Sequence, residues 1–222
     1  MNNLSNNVVE IFCDASIKKF PNQRCFGSAG AISRDGRNKI QIMPDSTNNK
    51  SEITAIYLAV QLAKEIVQDM HEEVTINIYS DSKISVYGLK FWMNKWVEMM
   101  YNGVLYTPQG DRVKNQEIFI QIYDFLARNN LKINLYHCKG HVNVMNEKQM
   151  VNAANVFYES NGFMPDRDLL TRVSFYNDKI DNLTRNYLSD IDPNMTNTIL
   201  DNSNGEKMYH YVLPVNWKDY IS

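Results

Sequence analysis

Val74-Thr75-Ile76-Asn77-Ile78-Tyr79-Ser80-Asp81 decides the fold. The run is rich in β-formers, alternates apolar and polar side chains, and ends on a carboxylate, which describes a strand. What precedes it fixes how it pairs. Ile53, Ile56, Tyr57, Val60, Ala63 and Val67 recur at helical spacing and mark an amphipathic helix from Lys50 to Met70. A strand reached through a helical crossover lies parallel to an earlier one. That earlier strand is Val8-Val9-Glu10-Ile11-Phe12-Cys13, a buried apolar run that also ends on a carboxylate, Asp14.

Outward from this pair, Gly27 to Ser33 and Asn38 to Met43 form two more strands joined by a turn at Asp35-Gly36, so the first three strands make an antiparallel meander. Helical sequence resumes at Ser82, runs with a break to Met100, and returns from Gln116 to Asn129 after a loop with Gly103, Pro108 and Gly110. Leu131 to His137 is a fifth strand. Glu147 to Ser160 is helical and stops at Asn161-Gly162; Tyr176 to Leu188 is a last helix. The expected fold is an α/β layered domain with a mixed five-stranded sheet, three strands antiparallel and two parallel, flanked by helices.

A chain of 222 residues, 44% hydrophobic, supports one good core with an appendage. From Ser189 it turns rich in Asn, Asp, Ser and Thr, a linker composition, and ends in an aromatic segment, Tyr209 to Tyr220. The net charge of -2 gives no global basic footprint for nucleic acid, though it leaves room for a local one. The three cysteines, Cys13, Cys25 and Cys138, are odd in number and lack CxxC spacing. A disulfide framework and a zinc site are both disfavoured, and a reducing cytoplasm is expected. The polar start Met1 to Asn7 does not have the design of a signal peptide, and no apolar run approaches the ~20 residues that span a bilayer.

Asp14, Glu52 and Asp81 are the candidate reactive residues. Two lie at strand ends and the third near the start of the first helix, where the topology brings them together. Clustered carboxylates repel, so one must protonate or a cation must intervene. The usual cation is a hard divalent ion with oxygen ligands. An isolated Asp at a strand end is ordinarily a turn cap or a surface charge; three converging acids are not.

These residues carry a resemblance to the type 1 ribonuclease H family. Ile11-Phe12-Cys13-Asp14-Ala15-Ser16 resembles the family's first strand ending in Asp-Gly-Ser. Thr47-Asn48-Asn49-Lys50-Ser51-Glu52 is similar to its Thr-Asn-Asn-Arg-x-Glu helix entry, and Tyr79-Ser80-Asp81-Ser82 to its Thr-Asp-Ser. Phe91 to Trp96 and Val113-Lys114-Asn115 resemble the segments flanking its substrate-binding helix and loop, and Lys139-Gly140-His141 its histidine loop. The family's fourth carboxylate follows that histidine closely. Here only Asn152 and Asn155 stand near the expected position. Tyr176-Asn177-Asp178-Lys179-Ile180-Asp181-Asn182-Leu183-Thr184-Arg185 matches the family's pattern instead, which makes Asp181 the expected fourth ligand. Residues 142–175 become a helical insertion in a ribonuclease-H-like catalytic domain of residues 1–188, followed by the linker and tail of residues 189–222.

The resemblance implies an endoribonuclease that hydrolyses the RNA strand of RNA–DNA hybrids, in primer removal or R-loop clearance. It implies two Mg²⁺ ions, with Mn²⁺ able to substitute, held by Asp14, Glu52, Asp81 and Asp181. Two such ions ~4 Å apart can activate water and stabilise the leaving oxygen. His141 would transfer protons or assist product release. Ser16, Asn48, Asn49, Trp92, Trp96 and Lys114 would contact the hybrid, with core packing the ordinary alternative for at least one tryptophan. His137 is expected to be a packing or surface residue, and His71 to cap a helix. The expected partner is a hybrid, met by a monomer in a bacterial or phage-infected cell. The 142–175 insertion or the tail could dock a protein, or fold back on the domain. Two departures stand out: Ala15 replaces a usual Gly, and the loop from Trp96 to Arg112 carries few basic residues. Action on structured DNA or duplex RNA, or a non-catalytic binding role, are the alternative readings.

Overall fold

The computed structural model describes residues 7–21, 24–68, 70, 74–191, 213–214 and 216–222. His71, the start through Asn6, most of the polar linker, and Tyr209 to Val212 with Val215 lie outside them. The sheet has the order β3-β2-β1-β4-β5. Its strands are β1 (Val8–Lys19), β2 (Cys25–Ser33), β3 (Asn38–Pro44), β4 (Thr75–Ser80) and β5 (Asn134–His137). β1, β2 and β3 pair antiparallel, and β4 and β5 run parallel to β1, as the sequence predicts.

β1 corrects one expectation. Its pairing with β4 ends at Cys13↔Ser80, but its pairing with β2 continues through Asp14↔Gly30 to Lys19↔Cys25. Asp14 is therefore mid-strand. It stands where β1 and β4 part, the crevice beyond the carboxyl ends of parallel strands that α/β sheets use for ligands.

Helix α1 (Asn48–Val67) packs on one face of the sheet. Thr47 caps it, its hydroxyl accepting from Lys50 N. Beside it lies α4 (Gln116–Arg128), with Ile118, Phe119, Ile122 and Leu126 buried in the same core. The break expected between Ser82 and Met100 is a π-helical turn, Gly88–Trp92, between α2 (Lys83–Tyr87) and α3 (Met93–Glu98). At Gly88 a Cβ would overlap the ring of Phe119, so only glycine lets these helices close up.

The opposite face carries α5 (Glu147–Asn161) and α6 (Arg167–Ser189). α6 begins nine residues earlier than the expected Tyr176. Asp166 supplies the cap, its Oδ1 accepting from Leu169 N at 2.7 Å, a start signal that follows Pro165. The stretch expected as a helical insertion, residues 142–175, thus comprises α5 and the first turns of the helix that carries Asp181. Those turns are pinned to the sheet: Arg172 Nε lies 2.9 Å from Oε2 of the buried Glu10, and Arg172 donates from Nη2 to Oε1 at 3.1 Å.

The described end of the tail folds back on the domain. Ile133 N donates to Tyr220 O, Leu135 N to Ser222 O, and Ser222 N to Ile133 O, at 2.9–3.0 Å. Trp217 and Tyr220 are buried, with Trp217 edge-on to Tyr123 at 5.2 Å. β5 starts at Asn134 and not at Leu131: its pairing with β4 begins at Asn77↔Asn134, and Leu131 N instead donates to Leu126 O at the end of α4.

Candidate active site

Asp14 reaches the crevice from β1, Asp81 from the residue after β4, and Glu52 from the second turn of α1. One carboxylate oxygen from each lies within 4.8 Å of the others. Asp14 is 4% exposed and Glu52 9%. Asp14 Oδ1 accepts from Ala15 N at 2.7 Å. The Asn48 side chain hydrogen-bonds Glu52, whereas Glu52 Oε2 is buried with no protein partner. A buried carboxylate oxygen without a donor is costly unless something else fills its lone pairs.

Burial first, then the charge of Asp81, pushes the Asp14 carboxyl up to about 8. Burial, followed by Asp14 and Asp81, pushes Glu52 up to about 9. Asp81 is also raised, chiefly by burial, against a hydrogen bond from Asn177 and the nearby His141. The cluster cannot be fully ionised at neutral pH without a cation, so the donor set fits a hard divalent metal.

The sign of the pH effect follows. The folded-state values of Asp14 and Glu52 lie above the unfolded ones, so the native state binds the extra protons. Their stabilising contribution is complete below the ordinary carboxylate range and is lost as pH rises through about 8 and 9. Metal-free protein is therefore expected to melt lower at about pH 8.5 than at about pH 5.5. Added Mg²⁺ should raise the Tm several degrees at the higher pH and little at the lower. Thermal scans with and without chelator check this, and an equal Mg²⁺ effect at both pH values would refute it.

The acids open into a cavity of about 550 Å³, lined also by Ser16, Asn48, His141 and Asp181. Asp181 shares the cavity but stands outside the three-acid group. Its Oδ1 is 2.9 Å from Arg185 Nε, and its Oδ2 3.8 Å from His141 Nδ1. Asn152 and Asn155 are exposed on α5, away from the cavity. Ser16 Oγ lies 2.9 Å from Thr184 Oγ1, which ties β1 to α6. His141 is 63% exposed at the rim, in left-handed backbone with φ 53°.

A second cavity, also about 550 Å³, collects Asn49, Trp92, Trp96 and Lys114 with Arg112 and Asn115. Trp96 packs edge-on against Phe119 at 5.2 Å, whereas Trp92 is 38% exposed. One tryptophan therefore belongs to the core while still lining the cavity. His137 is buried against Ser160, as expected.

Sequence reasoning missed Arg185, Lys18 and Asn177. Arg185 and Lys18 line the first cavity. Asn177 is 3% exposed and keeps a buried Oδ1 without a partner. Gly140 completes the packing: a Cβ there would collide with Asp81 Oδ2. Spacing on α6 signals Arg185 as the i,i+4 partner of Asp181; Lys18 and Asn177 gain their places only through tertiary contact.

A mixed sheet with acids gathered where parallel strands part is a candidate centre for divalent-metal chemistry of the α/β class. The RNase H family pattern matches residues 6–155, which include Asp14, Glu52, Asp81 and His141 and stop short of α6. The chain belongs to the RNase H family, and its enzyme class is that of a ribonuclease H. It is 32% identical over 136 residues to a ribonuclease H of Hahella chejuensis, covering 60% of this chain and 81% of the relative. To a ribonuclease HI of Haemophilus influenzae it is 29% identical over 136 residues, covering 60% and 78%. A solved structure described as a type 1 RNase H with the type 2 active-site motif superimposes with a TM-score of 0.46 and 16% identity, over 74% of this chain and 80% of that one. No helix among the described residues is long and apolar enough to cross a membrane.

Proposed function

We propose that this chain is an endoribonuclease that hydrolyses the RNA strand of RNA–DNA hybrids, leaving a 5′-phosphate. Primer removal or R-loop clearance in the cytoplasm of a bacterial or phage-infected cell would be its task. The observation that carries this is the cluster of three carboxylates within 4.8 Å, Asp14 and Glu52 buried and Asp81 half-buried, with a fourth on the same cavity, in a member of this family.

Asp14, Glu52, Asp81 and Asp181 are the residues that would hold two Mg²⁺ ions, with Mn²⁺ as substitute. The chemistry such a pair supplies when bound is activation of the attacking water and stabilisation of the leaving oxygen. The chain's own groups do the rest. Asn48 orients Glu52 through its hydrogen bond, which leaves Glu52 able to accept from a ribose 2′-hydroxyl, the group that separates RNA from DNA. Ser16 and Asn48 line the side of the cavity where the RNA strand would lie. Asn49, Trp92, Trp96 and Lys114 form the second cavity, which suits the sugar and phosphate of the DNA strand. Exposed at the rim, His141 is placed to carry a proton to or from solvent.

Cleavage of matched hybrid, duplex RNA and duplex DNA with Mg²⁺ tests the reading, comparing wild type with Asp81→Asn. The expected result is hybrid cleavage by wild type alone. Preference for duplex RNA or DNA, or no cleavage of any substrate, would overturn it.

A further inference from the structure

The acidic cavity also contains cationic side chains of the chain's own, and they are not equally committed. Lys18 Nζ is spent on the end of α6, donating to Leu188 O at 3.0 Å and Ser189 O at 3.3 Å. Arg185 instead holds the fourth carboxylate itself, its Nε 2.9 Å from Asp181 Oδ1 one helical turn back. Asp181 is also the cavity acid that stands outside the 4.8 Å group. Any ion that uses Oδ1 must take it from Arg185.

The hold is a light one. Arg185 is 59% exposed and lines the open cavity, and an exposed i,i+4 pair is weak and salt-screened. Its charge also favours the ionised form of the neighbouring Asp14. A guanidinium is the side chain whose fork best matches a phosphate. A guanidinium at this position can neutralise a carboxylate when the cavity lacks a divalent ion, and can meet an anionic strand when it has one.

We propose that Arg185 is an exchangeable clamp, bound to Asp181 in the metal-free protein and transferred to a backbone phosphate of the nucleic-acid strand once Asp181 is taken up as a ligand. The inference rests on the nuclease reading above and gives α6 a substrate-binding role.

The test uses the full chain as wild type, Arg185→Ala and Arg185→Lys. Mn²⁺ binding is followed by calorimetry without nucleic acid, and hybrid cleavage gives KM and kcat separately. Removing the competitor should tighten Mn²⁺ binding by Arg185→Ala about two- to fivefold. Losing a charge-assisted phosphate contact should raise its KM for hybrid about tenfold, with a smaller change in kcat. Arg185→Lys keeps the charge but not the fork, and should fall between wild type and Arg185→Ala in both. Opposite movement of metal and hybrid affinity is the signature, since a merely structural residue would shift the Tm and neither affinity. Unchanged or weaker Mn²⁺ binding by Arg185→Ala, or an unchanged KM, would overturn the clamp. A wild type inert on hybrids would sink the nuclease reading instead, and the Mn²⁺ titration would still decide whether Arg185 competes for Asp181.

Discussion

Asp14→Asn is expected to lower hybrid cleavage on the order of a thousandfold or more while making the metal-free protein less sensitive to alkaline pH. Both effects have one origin. Asp14 is buried, groups with Glu52 and Asp81 within 4.8 Å, and lines the same cavity as Asp181. An amide keeps the shape and can still accept from Ala15 N, which donates to Asp14 Oδ1 at 2.7 Å. It cannot supply the negative charge that a divalent ion requires. Wild-type Asp14 titrates near 8, so above that pH the metal-free site carries an uncompensated buried charge. The variant loses that liability, and its Tm should fall less than that of wild type between about pH 5 and pH 9. Cleavage assays with Mg²⁺ and thermal scans in chelator measure the two halves. Activity within tenfold of wild type would show that Asp14 holds no essential ion.

Gly140→Ala should leave the protein folded and cost about a hundredfold in kcat/KM, the scale of a misplacement near 1 Å at a reacting centre. Gly140 follows β5 and backs directly onto Asp81. The φ of Gly140 lies outside the left-handed region, so alanine meets no backbone penalty there. The added Cβ collides with Asp81 Oδ2 and sits 3.3 Å from Asn177 Oδ1. Asp81 can escape by turning its carboxylate, which spares the fold but moves a ligand out of the cluster and breaks its hydrogen bond with Asn177. Comparing the Tm with kcat/KM separates the outcomes. A near wild-type kcat/KM would mean that the site tolerates a reoriented Asp81; a collapse in Tm would mean that Gly140 serves the fold first.

Periodicity made most of the architecture legible. The helical spacing before Val74 is sufficient to make β4 parallel to β1, and the acids that follow their two apolar runs, Asp14 and Asp81, then fall together. Boundaries were less legible because they depend on partners. Nothing near Asp14 says that β1 runs on to Lys19; that is decided by β2, whose Gly27 to Ala31 stretch offers small residues opposite it. Asp166 caps α6 locally, but what its first turns pack on was not legible: Arg172 meets the buried Glu10, some 160 residues away. In the site, Asp14, Glu52 and Asp81 were readable because Asp14 and Asp81 close apolar runs and Glu52 lies in the first turns of an amphipathic helix. The roles of Arg185 and Asn177 were not, because each depends on which carboxylate it meets across space. The aromatic tail left two options open, and burial of Trp217 and Tyr220 decides for folding back, in the residues described.

That folding back bears on how the molecule keeps apart from its own copies. The outer strands of an open sheet are templates for unwanted pairing. On one side, Ser222 and Tyr220 occupy backbone groups of Ile133 and Leu135 that another chain would otherwise seek. On the other, β3 is seven residues long, carries Lys39 paired with Glu65, and ends at Pro44, which has no N–H to donate. Both margins of the sheet are guarded, one by the chain's own tail and one by composition. Colloidal solubility would therefore depend on a few residues at the margins of the sheet that take no part in the acidic cavity.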